Sequence, residues 1–138
     1  MRILAVDHGE KRIGLALSDP TGTLASPVTV IKHASRNLDA ALVATIAGQN
    51  RAELIVVGQS FDEDGLPNRA GRSAARFVDA LKLQTQIPIV LWDESFSTQE
   101  ARETCIAIGA SRKKRSGHLD ELAATIILQS YIEAHLNL

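Results

Sequence analysis

The feature that most constrains this fold is a repeated passage from an amphipathic helix into a short, uninterrupted apolar strand. Apolar residues recur at helical spacing over residues 38–46 and again over 70–81, which predicts two helices. Each is followed by a run of four apolar residues, at 54–57 and 89–92, of the kind that forms strands buried on both faces. Strands joined through such a helix pair in parallel, so these runs predict part of a parallel sheet.

Three more strands are predicted before the first helix. Residues 3–6 form an apolar run that ends at Asp7, residues 8–11 are typical of a turn, and residues 12–18 alternate apolar and small side chains. This pattern predicts a hairpin of two antiparallel strands. Residues 24–31 predict a third strand, and its internal proline places that strand at an edge of the sheet, where a missing N–H is tolerated.

Two helices are predicted after the last strand. Ser97 and Glu100 form a capping box, which predicts a helix that runs to about Gly109. Apolar residues over 119–131 predict an amphipathic final helix that is capped by Ser116. The order βββαβαβαα gives a five-stranded mixed sheet, with three antiparallel strands followed by parallel strands and with helices on the faces. This α/β pattern resembles a ribonuclease H-like domain.

Size and composition agree with a single domain of this kind. The chain has 138 residues, of which 45% are hydrophobic and 22% charged, so we expect one globular domain over residues 1–138. Its apolar runs are far shorter than the ~20 residues of a membrane span, and no leader pattern precedes them, so we expect a cytoplasmic protein. Cys105 is the only cysteine, which excludes an internal disulfide and a cysteine zinc cluster.

Carboxylates occur where the predicted strands end. Asp7 closes the first strand and Glu94 follows the last, so their side chains are expected at the same edge of the sheet. Asp120 falls on the predicted inward side of the final helix, where an acid requires a cation nearby. Asp93 would face away from Glu94 if the strand continued, and it is the second choice. The alternative is that these acids are turn formers or helix-start residues.

Clustered carboxylates of this kind bind hard divalent cations through oxygen. Two such ions about 4 Å apart can activate a water and stabilise a leaving oxygen in phosphodiester hydrolysis. Asp7, Glu94 and Asp120 are therefore the candidate catalytic and metal-binding residues, with Mg²⁺ or Mn²⁺ as the metal. His8 and His118 lie beside these acids in sequence but are left outside the site, because histidines near turns are usually surface residues.

Basic residues are grouped although the net charge is −1. One group lies in the first turn, one on a helical face that also carries Arg76, and one directly before the helix of Asp120. The residues predicted to contact a nucleic-acid backbone are Lys11, Arg12, Arg69, Arg72, Arg112, Lys113, Lys114 and Arg115. The alternative for each group is a solvated surface. Aromatic residues are scattered, and Trp92 lies in a strand predicted to be buried, so we expect no base-stacking platform.

Four segments, in order along the chain, resemble the motifs of one family. Residues 5–19, with the sequence AVDHGEKRIGLALSD, are similar to the first motif of the YqgF family, also called RuvX, which is related to bacterial Holliday-junction resolvases. The other three segments are Val56-Val57-Gly58 with Asp64-Gly65 downstream, Asp93-Glu94 followed by Ser97-Thr98, and Asp120 with Ala123-Ala124 and residues 127–131. The resemblance covers essentially the whole chain.

The resemblance implies a ribonuclease H-like fold and a nuclease that uses a divalent metal. It also implies a role in maturing the 5′ end of 16S ribosomal RNA precursors, whereas some members of the family are described as junction resolvases. The catalytic positions of the family correspond here to Asp7, Glu94 and Asp120. A resolvase cuts two strands symmetrically and so requires a homodimer. No apolar stripe in the sequence identifies such an interface, and the choice between structured RNA and branched DNA stays open.

Two departures from the family pattern bear on function. The family usually continues Val-Val-Gly with an apolar residue and proline, where this chain has Gln59-Ser60-Phe61, and the usual Arg after Asp-Glu is Ser95. Because serine does not bind phosphate in the bidentate manner of arginine, a phosphate contact is expected to be missing. That loss keeps open a non-catalytic ribosome-assembly or nucleic-acid-binding factor. A sugar-kinase or actin-like ATPase is disfavoured, because it needs two large lobes.

Overall fold

The fold is built on one five-stranded sheet. The computed structural model describes residues 1–96, 103 and 120–136, except for the side chains at positions 120, 121 and 136. In this part of the chain the strands are β1 (Ile3–His8), β2 (Arg12–Ser18), β3 (Ala25–Lys32), β4 (Leu54–Gln59) and β5 (Ile89–Asp93). The helices there are α1 (Arg36–Gln49), α2 (Arg69–Lys82) and α3 (Asp120–Leu136), and a short 3₁₀ turn, Glu94–Phe96, follows β5.

The strand order confirms the predicted fold class. It is β3-β2-β1-β4-β5, with β2 antiparallel to both β1 and β3, and with β4 parallel to both β1 and β5. Parallel neighbours need a crossover connection. Helix α2 joins β4 to β5, and α1 lies in the connection from β3 to β4, as the alternation of helical and apolar segments predicts.

In the first hairpin, β1 is longer and the turn shorter than the sequence predicts, and β2 has the predicted bounds. Strand β1 continues to His8, and its register pairs Asp7 with Gly14. The turn is closed by a hydrogen bond of 2.9 Å from the Gly9 N–H to the Arg12 carbonyl. A Cβ at Gly9 would lie 2.5 Å from that carbonyl oxygen, so only glycine fits this tight turn without a shift. Asp7 is consequently held inside a strand.

The edges of the described sheet are β3 and β5. The position of β3 confirms the prediction from Pro27, and the register with β2 shifts close to this residue. Strand β5 corrects a prediction, because residues 89–92 were expected to be buried on both faces. None of its residues is fully buried, and Leu91 is 39% exposed, since β5 is covered by another strand on one side only. Strand β4, between β1 and β5, is buried at 54–58.

Side chains close the amino ends of α1 and α2. Ser35 Oγ accepts a hydrogen bond from the Leu38 N–H (3.2 Å), and Asn68 Oδ1 accepts one from the Gly71 N–H (2.8 Å). Gly71 also permits a close approach, because a Cβ there would lie 2.1 Å from the Ser60 carbonyl oxygen. Helix α2 therefore starts directly beside the carboxyl end of β4.

The sheet separates two apolar layers of different character. The face toward α1 and α2 carries mostly large residues, which form the main core; they include Leu4, Val6, Ile13, Leu15, Ile55, Val57, Phe77 and Leu81. The face toward α3 carries smaller residues in its strands; this layer includes Ile3, Ala5, Ala16, Ala25, Val56, Ala124, Ile127 and Leu128. We call these two sides the α1–α2 face and the α3 face.

Helix α3 is fixed on its face by polar contacts. Gln129 Oε1 accepts a hydrogen bond from the Ala25 N–H (3.0 Å), and the Trp92 indole N–H donates to Ser130 Oγ (2.9 Å). The helix extends to residue 136, one turn past the apolar residues over 119–131 that predicted it. No helix in the part of the chain that the structure describes is both long and apolar enough to span a membrane.

Several predicted features lie outside the described residues. These are the capping box at 97–100, the basic loop, the Ser116 cap and Cys105. Of the helix predicted over 97–109, Glu103 alone is described, and it is helical.

Candidate active site

Asp7 lies on the α3 face of the sheet. Side chains alternate along a strand, and the residues two and four positions earlier, Ala5 and Ile3, pack in the layer beneath α3. Val6, between Ala5 and Asp7, packs in the opposite layer. Asp7 is therefore directed toward the α3 side, near the carboxyl end of the central strand, and it is partly buried there.

Gly58 lies between Asp7 and Glu94 on this face. The parallel register of β1 and β4 places Gly58 level with Asp7 on the neighbouring strand. A Cβ built on Gly58 would lie 2.8 Å from Glu94 Oε1 and 2.6 Å from Ile127 Cδ1. The Glu94 side chain thus reaches back from the 3₁₀ turn and lies over a position that has no side chain. The backbones of β1 and β5 are about 10 Å apart, or two strand spacings, so this reach brings Glu94 toward Asp7.

A second glycine flanks Asp7 on its other side. Gly14 is the direct partner of Asp7 in the antiparallel pair of β1 and β2. Asp7 therefore has a glycine on each neighbouring strand, so no side chain at the same level of β2 or β4 crowds its carboxylate. Sequence reasoning gave Gly58 no role of its own. The sequence did carry a signal, because a glycine directly after the buried apolar run at 54–57 often marks a point where another group comes close to the strand backbone.

The adjacent acids Asp93 and Glu94 have different partners. Asp93 Oδ1 accepts hydrogen bonds from the Ser95 N–H (2.9 Å) and hydroxyl (2.7 Å), so it closes the turn after β5. Burial raises the pKa of Glu94, and the negative charge of Asp93 adds to this effect. A carboxylate whose ionised form is disfavoured in this way is stabilised by a nearby cation. Of the two acids, the one that reaches toward Asp7 is Glu94.

Asp120 is the first residue of α3, and its side chain lies outside the described atoms. Helical spacing puts it on the same side of the helix as Ala124 and Ile127, which follow one and two turns later and pack on the α3 face. The approach of this third carboxylate to Asp7 stays a prediction. Among the described side chains, no three His, Cys, Asp or Glu residues are close enough together to hold a metal ion.

Four of the eight basic residues predicted to contact a nucleic-acid backbone lie in the part of the chain that the structure describes. Lys11 and Arg12 are exposed at the end of the turn and at the start of β2. Arg69 and Arg72 are exposed in the first turn of α2, where the Arg72 guanidinium donates to the Pro67 carbonyl (3.0 Å). The remaining four predicted contacts, Arg112, Lys113, Lys114 and Arg115, lie outside the described residues.

His8 faces away from Asp7, toward α2. Its ring stacks on Phe77, with ring centroids 4.5 Å apart, and burial lowers the pKa of His8. With residues of α2 it lines a hollow of about 370 Å³. His8 is therefore partly buried against the core and separated from the acids on the α3 face. His118 lies outside the described residues.

The two departures from the family pattern have structural partners. Gln59 Nε2 donates to the Gly71 carbonyl (3.1 Å), and the Ser60 hydroxyl donates to Asn68 Oδ1 (2.7 Å). These bonds hold the start of α2 against the end of β4. Ser95, where the family usually has Arg, is bonded to the preceding aspartate and shapes the turn after β5.

Four aromatic rings meet beside the 3₁₀ turn, which corrects the expectation that aromatic residues are scattered. Trp92 contacts Phe96, Tyr131 and His135, with ring centroids 5.2–5.6 Å apart. Helix α3 supplies two of these rings. The sequence could not indicate the cluster, because it depends on how α3 crosses β5 in the folded chain. The Phe96 side chain is 58% exposed.

Solved structures define the class of protein to which this fold belongs. RuvC from Thermus thermophilus matches with a TM-score of 0.70 at 16% identity, over 99% of this chain and 97% of that chain. The fowlpox virus resolvase, solved with Holliday junction DNA as its substrate, gives 0.63 at 14% identity over 99% of both chains. The chain therefore has the ribonuclease H-like fold of the RuvC-like resolvases.

Sequence similarity narrows this class to one family. The model of the RuvX family, described as Holliday junction resolvase, matches residues 1–134. A protein of Thermoanaerobacter pseudethanolicus named "Putative pre-16S rRNA nuclease" is 39% identical over 99% of both chains. A protein of the same name from Myxococcus xanthus is 33% identical over 98% of this chain and 89% of its own. The chain belongs to the RuvX family, whose names denote hydrolases that act on nucleic acid.

Proposed function

We propose that this chain is a metal-dependent endonuclease that processes the 5′ end of 16S ribosomal RNA precursors in the cytoplasm. The observation that carries the proposal is the placement of Asp7 and Glu94 on one face of the sheet, with Gly58 between them. Two acids on one face of the sheet would offer carboxylate oxygens to a hard cation, and such a cation can in turn hold a phosphate group.

The donor set suits a divalent metal such as Mg²⁺ or Mn²⁺. Carboxylate oxygens are the ligands that these ions favour. Asp7, Glu94 and, from α3, Asp120 would hold the metal. The positive charge of the metal would offset the effect of burial, which disfavours the ionised form of Glu94. When bound, divalent ions activate the attacking water and stabilise the leaving oxygen.

The other residues of the site would bind and position the substrate. Lys11, Arg12 and Arg69 lie around the β1–β2 turn and would contact phosphates on either side of the scissile bond. Gly58 would serve the site differently, because its missing side chain leaves room for that of Glu94. Without an arginine at position 95, affinity depends more strongly on the basic residues near this turn.

The preference for a ribosomal precursor rests on sequence relatives. Proteins 33–39% identical over nearly the whole chain carry the pre-16S rRNA nuclease name. The two resolvases whose structures are compared above are only 14–16% identical. Cleavage of Holliday junctions is the second candidate function, favoured by the description of the family model. It would require two copies of the chain, because two strands are cut symmetrically.

Cleavage assays with both polymers test the proposal. Purified protein is given a precursor 16S ribosomal RNA and a four-way DNA junction, with Mg²⁺ or Mn²⁺ or with EDTA. We expect metal-dependent cleavage of the precursor RNA at the 5′ end of its 16S sequence. Asp7→Asn, Glu94→Gln and Asp120→Asn should each slow cleavage at least about 100-fold, since losing even an outer-shell partner of a metal ligand costs roughly 10–100-fold. Asp79→Asn, at an exposed position of α2, is the matched control and should keep the wild-type rate.

Each outcome distinguishes the candidate functions. Cleavage of the junction but not of the RNA would assign the protein as a resolvase. Binding of RNA without cleavage, equal in the wild type and the three variants, would support a non-catalytic assembly factor. Wild-type cleavage by the three variants would refute the site.

A further inference from the structure

Lys32, to which the sequence assigned no role, lies on the same face of the sheet as Asp7. Asp7 pairs with Gly14, and Gly14 pairs with Val30 on β3. Lys32 pairs with Arg12, two residues further along the same two strands. Directly opposed residues share a face of the sheet. Asp7, Gly14 and Val30 therefore form one row across three strands, and Arg12 and Lys32 form the next row.

The spacing of these rows suits an extended polymer. Two strand spacings, about 10 Å, separate β1 from β3, and a step of two residues adds about 7 Å along the strand, so Lys32 is roughly 12 Å from Asp7 between backbones. Phosphates of one strand advance by about 3.4 Å along a duplex. Because a strand also winds about that axis, the straight-line separation of neighbouring phosphates is roughly twice this rise, and a backbone whose scissile phosphate lies at Asp7 would reach Lys32 about two phosphates away.

The surface around Lys32 is an open, basic groove. The groove has a volume of about 620 Å³, and among the described residues its charged lining includes Lys11, Arg12 and Lys32 against one acid, Glu10. Lys32 is exposed, and its ammonium group has no ion pair or hydrogen bond in the part of the chain that the structure describes. Its positive charge is therefore available to an anion from solution.

We propose that Lys32 binds a backbone phosphate of the nucleic-acid substrate, about two positions from the scissile one. The groove then extends the binding surface from the acids to the β3 edge of the sheet. The inference rests on the proposed function, because it takes Asp7 as the cleavage point. A phosphate contact fixes position and affinity without reading sequence. Lys32 is accordingly a positioning residue, and it contributes equally to RNA and DNA binding.

The salt dependence of binding tests this contact. The dissociation constant of a fluorescent four-way DNA junction is measured in EDTA, to prevent cleavage, at roughly 50 and 200 mM KCl. One phosphate contact adds about 0.9 to the slope of log K against log salt. Lys32→Ala should bind more weakly than the wild type at low salt. The ratio of its dissociation constant to that of the wild type should fall about 3.5-fold between the low and the high salt concentration. Lys32→Arg should restore wild-type behaviour.

Lys82→Ala is the matched control. Lys82 is also an exposed lysine, but it ends α2, at the side of the sheet where the parallel strands begin. We expect wild-type affinity and salt slope for this variant, and unchanged melting temperatures for both. An unchanged salt slope in Lys32→Ala overturns the proposal, as does an equal loss in Lys82→Ala. Because the assay needs no cleavage, a protein that never cuts but shows the Lys32-dependent slope would refute the proposed function and keep this contact.

Discussion

The two faces of the sheet come from the same strands but differ in the size of their residues. On the α1–α2 face, β1 and β2 contribute large, fully buried side chains: Leu4, Val6, Ile13 and Leu15. On the α3 face, the intervening residues of the same strands are small or acidic: Ala5, Asp7, Gly14 and Ala16. A shift of one residue along the strand thus separates a core of large side chains from a layer of small ones that also carries Asp7.

This difference indicates that residues on one face of the sheet mainly stabilise the fold, whereas residues on the other face are available for activity. Burying one large aliphatic side chain stabilises the fold by about 1.5–3 kcal/mol, and alanine and glycine contribute much less. The α3 face is held in addition by specific polar contacts, such as the bond between Gln129 and the Ala25 N–H. We expect substitutions on the α1–α2 face to act mainly on stability, and substitutions around Gly58 to act mainly on activity.

Phe77→Ala should give the largest loss of stability. Phe77 is fully buried on the α1–α2 face, so its truncation is expected to lower the free energy of unfolding by about 3–5 kcal/mol. Urea denaturation measures this loss. The control is Phe96→Ala, because Phe96 is 58% exposed beside the α3 face and should cost less than about 1.5 kcal/mol. Equal losses in the two variants would mean that the faces do not differ as described.

Gly58→Ala should damage activity more than stability. Its Cβ would lie 2.6 Å from Ile127 Cδ1 and 2.8 Å from Glu94 Oε1, so the Glu94 carboxylate must move. Overpacking of this kind costs about 1–3 kcal/mol. A displacement near 1 Å at a catalytic group can cost roughly 100-fold in rate. Cleavage rates measured where the variant is fully folded separate the two effects.

Gly48→Ala is the control for that substitution. Nothing lies within 4 Å of the Cβ position at Gly48, in the last turn of α1. Alanine there should raise the free energy of unfolding by about 0.5–1 kcal/mol and leave cleavage unchanged. A Gly58→Ala enzyme as active as Gly48→Ala would show that Glu94 tolerates displacement and does not act at this position.

Ser130→Ala should give the smallest effect. It removes the acceptor of the Trp92 indole N–H, a polar contact of the α3 face. Trp92 is only partly buried, so water can replace the lost partner, and we expect a cost of about 1 kcal/mol by urea denaturation. Ser73→Ala, in the middle of α2, should change stability by less than about 0.5 kcal/mol. A loss in Ser130→Ala as large as that of Phe77→Ala would contradict the ranking of the two faces.

Local sequence signals predicted the elements and their faces. Period-2 alternation identified β2, an uninterrupted apolar run identified β4, and Pro27 identified the edge position of β3. Alternation also decides that Asp7 and Val6 face opposite layers. These features depend on residues that are close together in the sequence, so they can be predicted from a single sequence.

Features that depend on pairing between distant segments could not be predicted. The glycine opposite Asp7 on β4, the path of Glu94 over that glycine, and the row that joins Arg12 to Lys32 all follow from strand register. The aromatic contacts of Trp92 follow from the crossing of α3 over β5. Apolar periodicity predicts that these segments pack together, but it does not specify which residues become level with one another.

The most direct test of the central claim is thermal unfolding with and without saturating Mn²⁺. A cation that binds only the folded chain at about 100 times its dissociation constant adds about 2.7 kcal/mol of stability. For a chain of this size that corresponds to a rise of roughly 8 °C in melting temperature. We predict this rise for the wild type and for Asp79→Asn, and its loss in Asp7→Asn and Glu94→Gln. An unchanged rise in Asp7→Asn would contradict the assignment of these carboxylates as metal ligands.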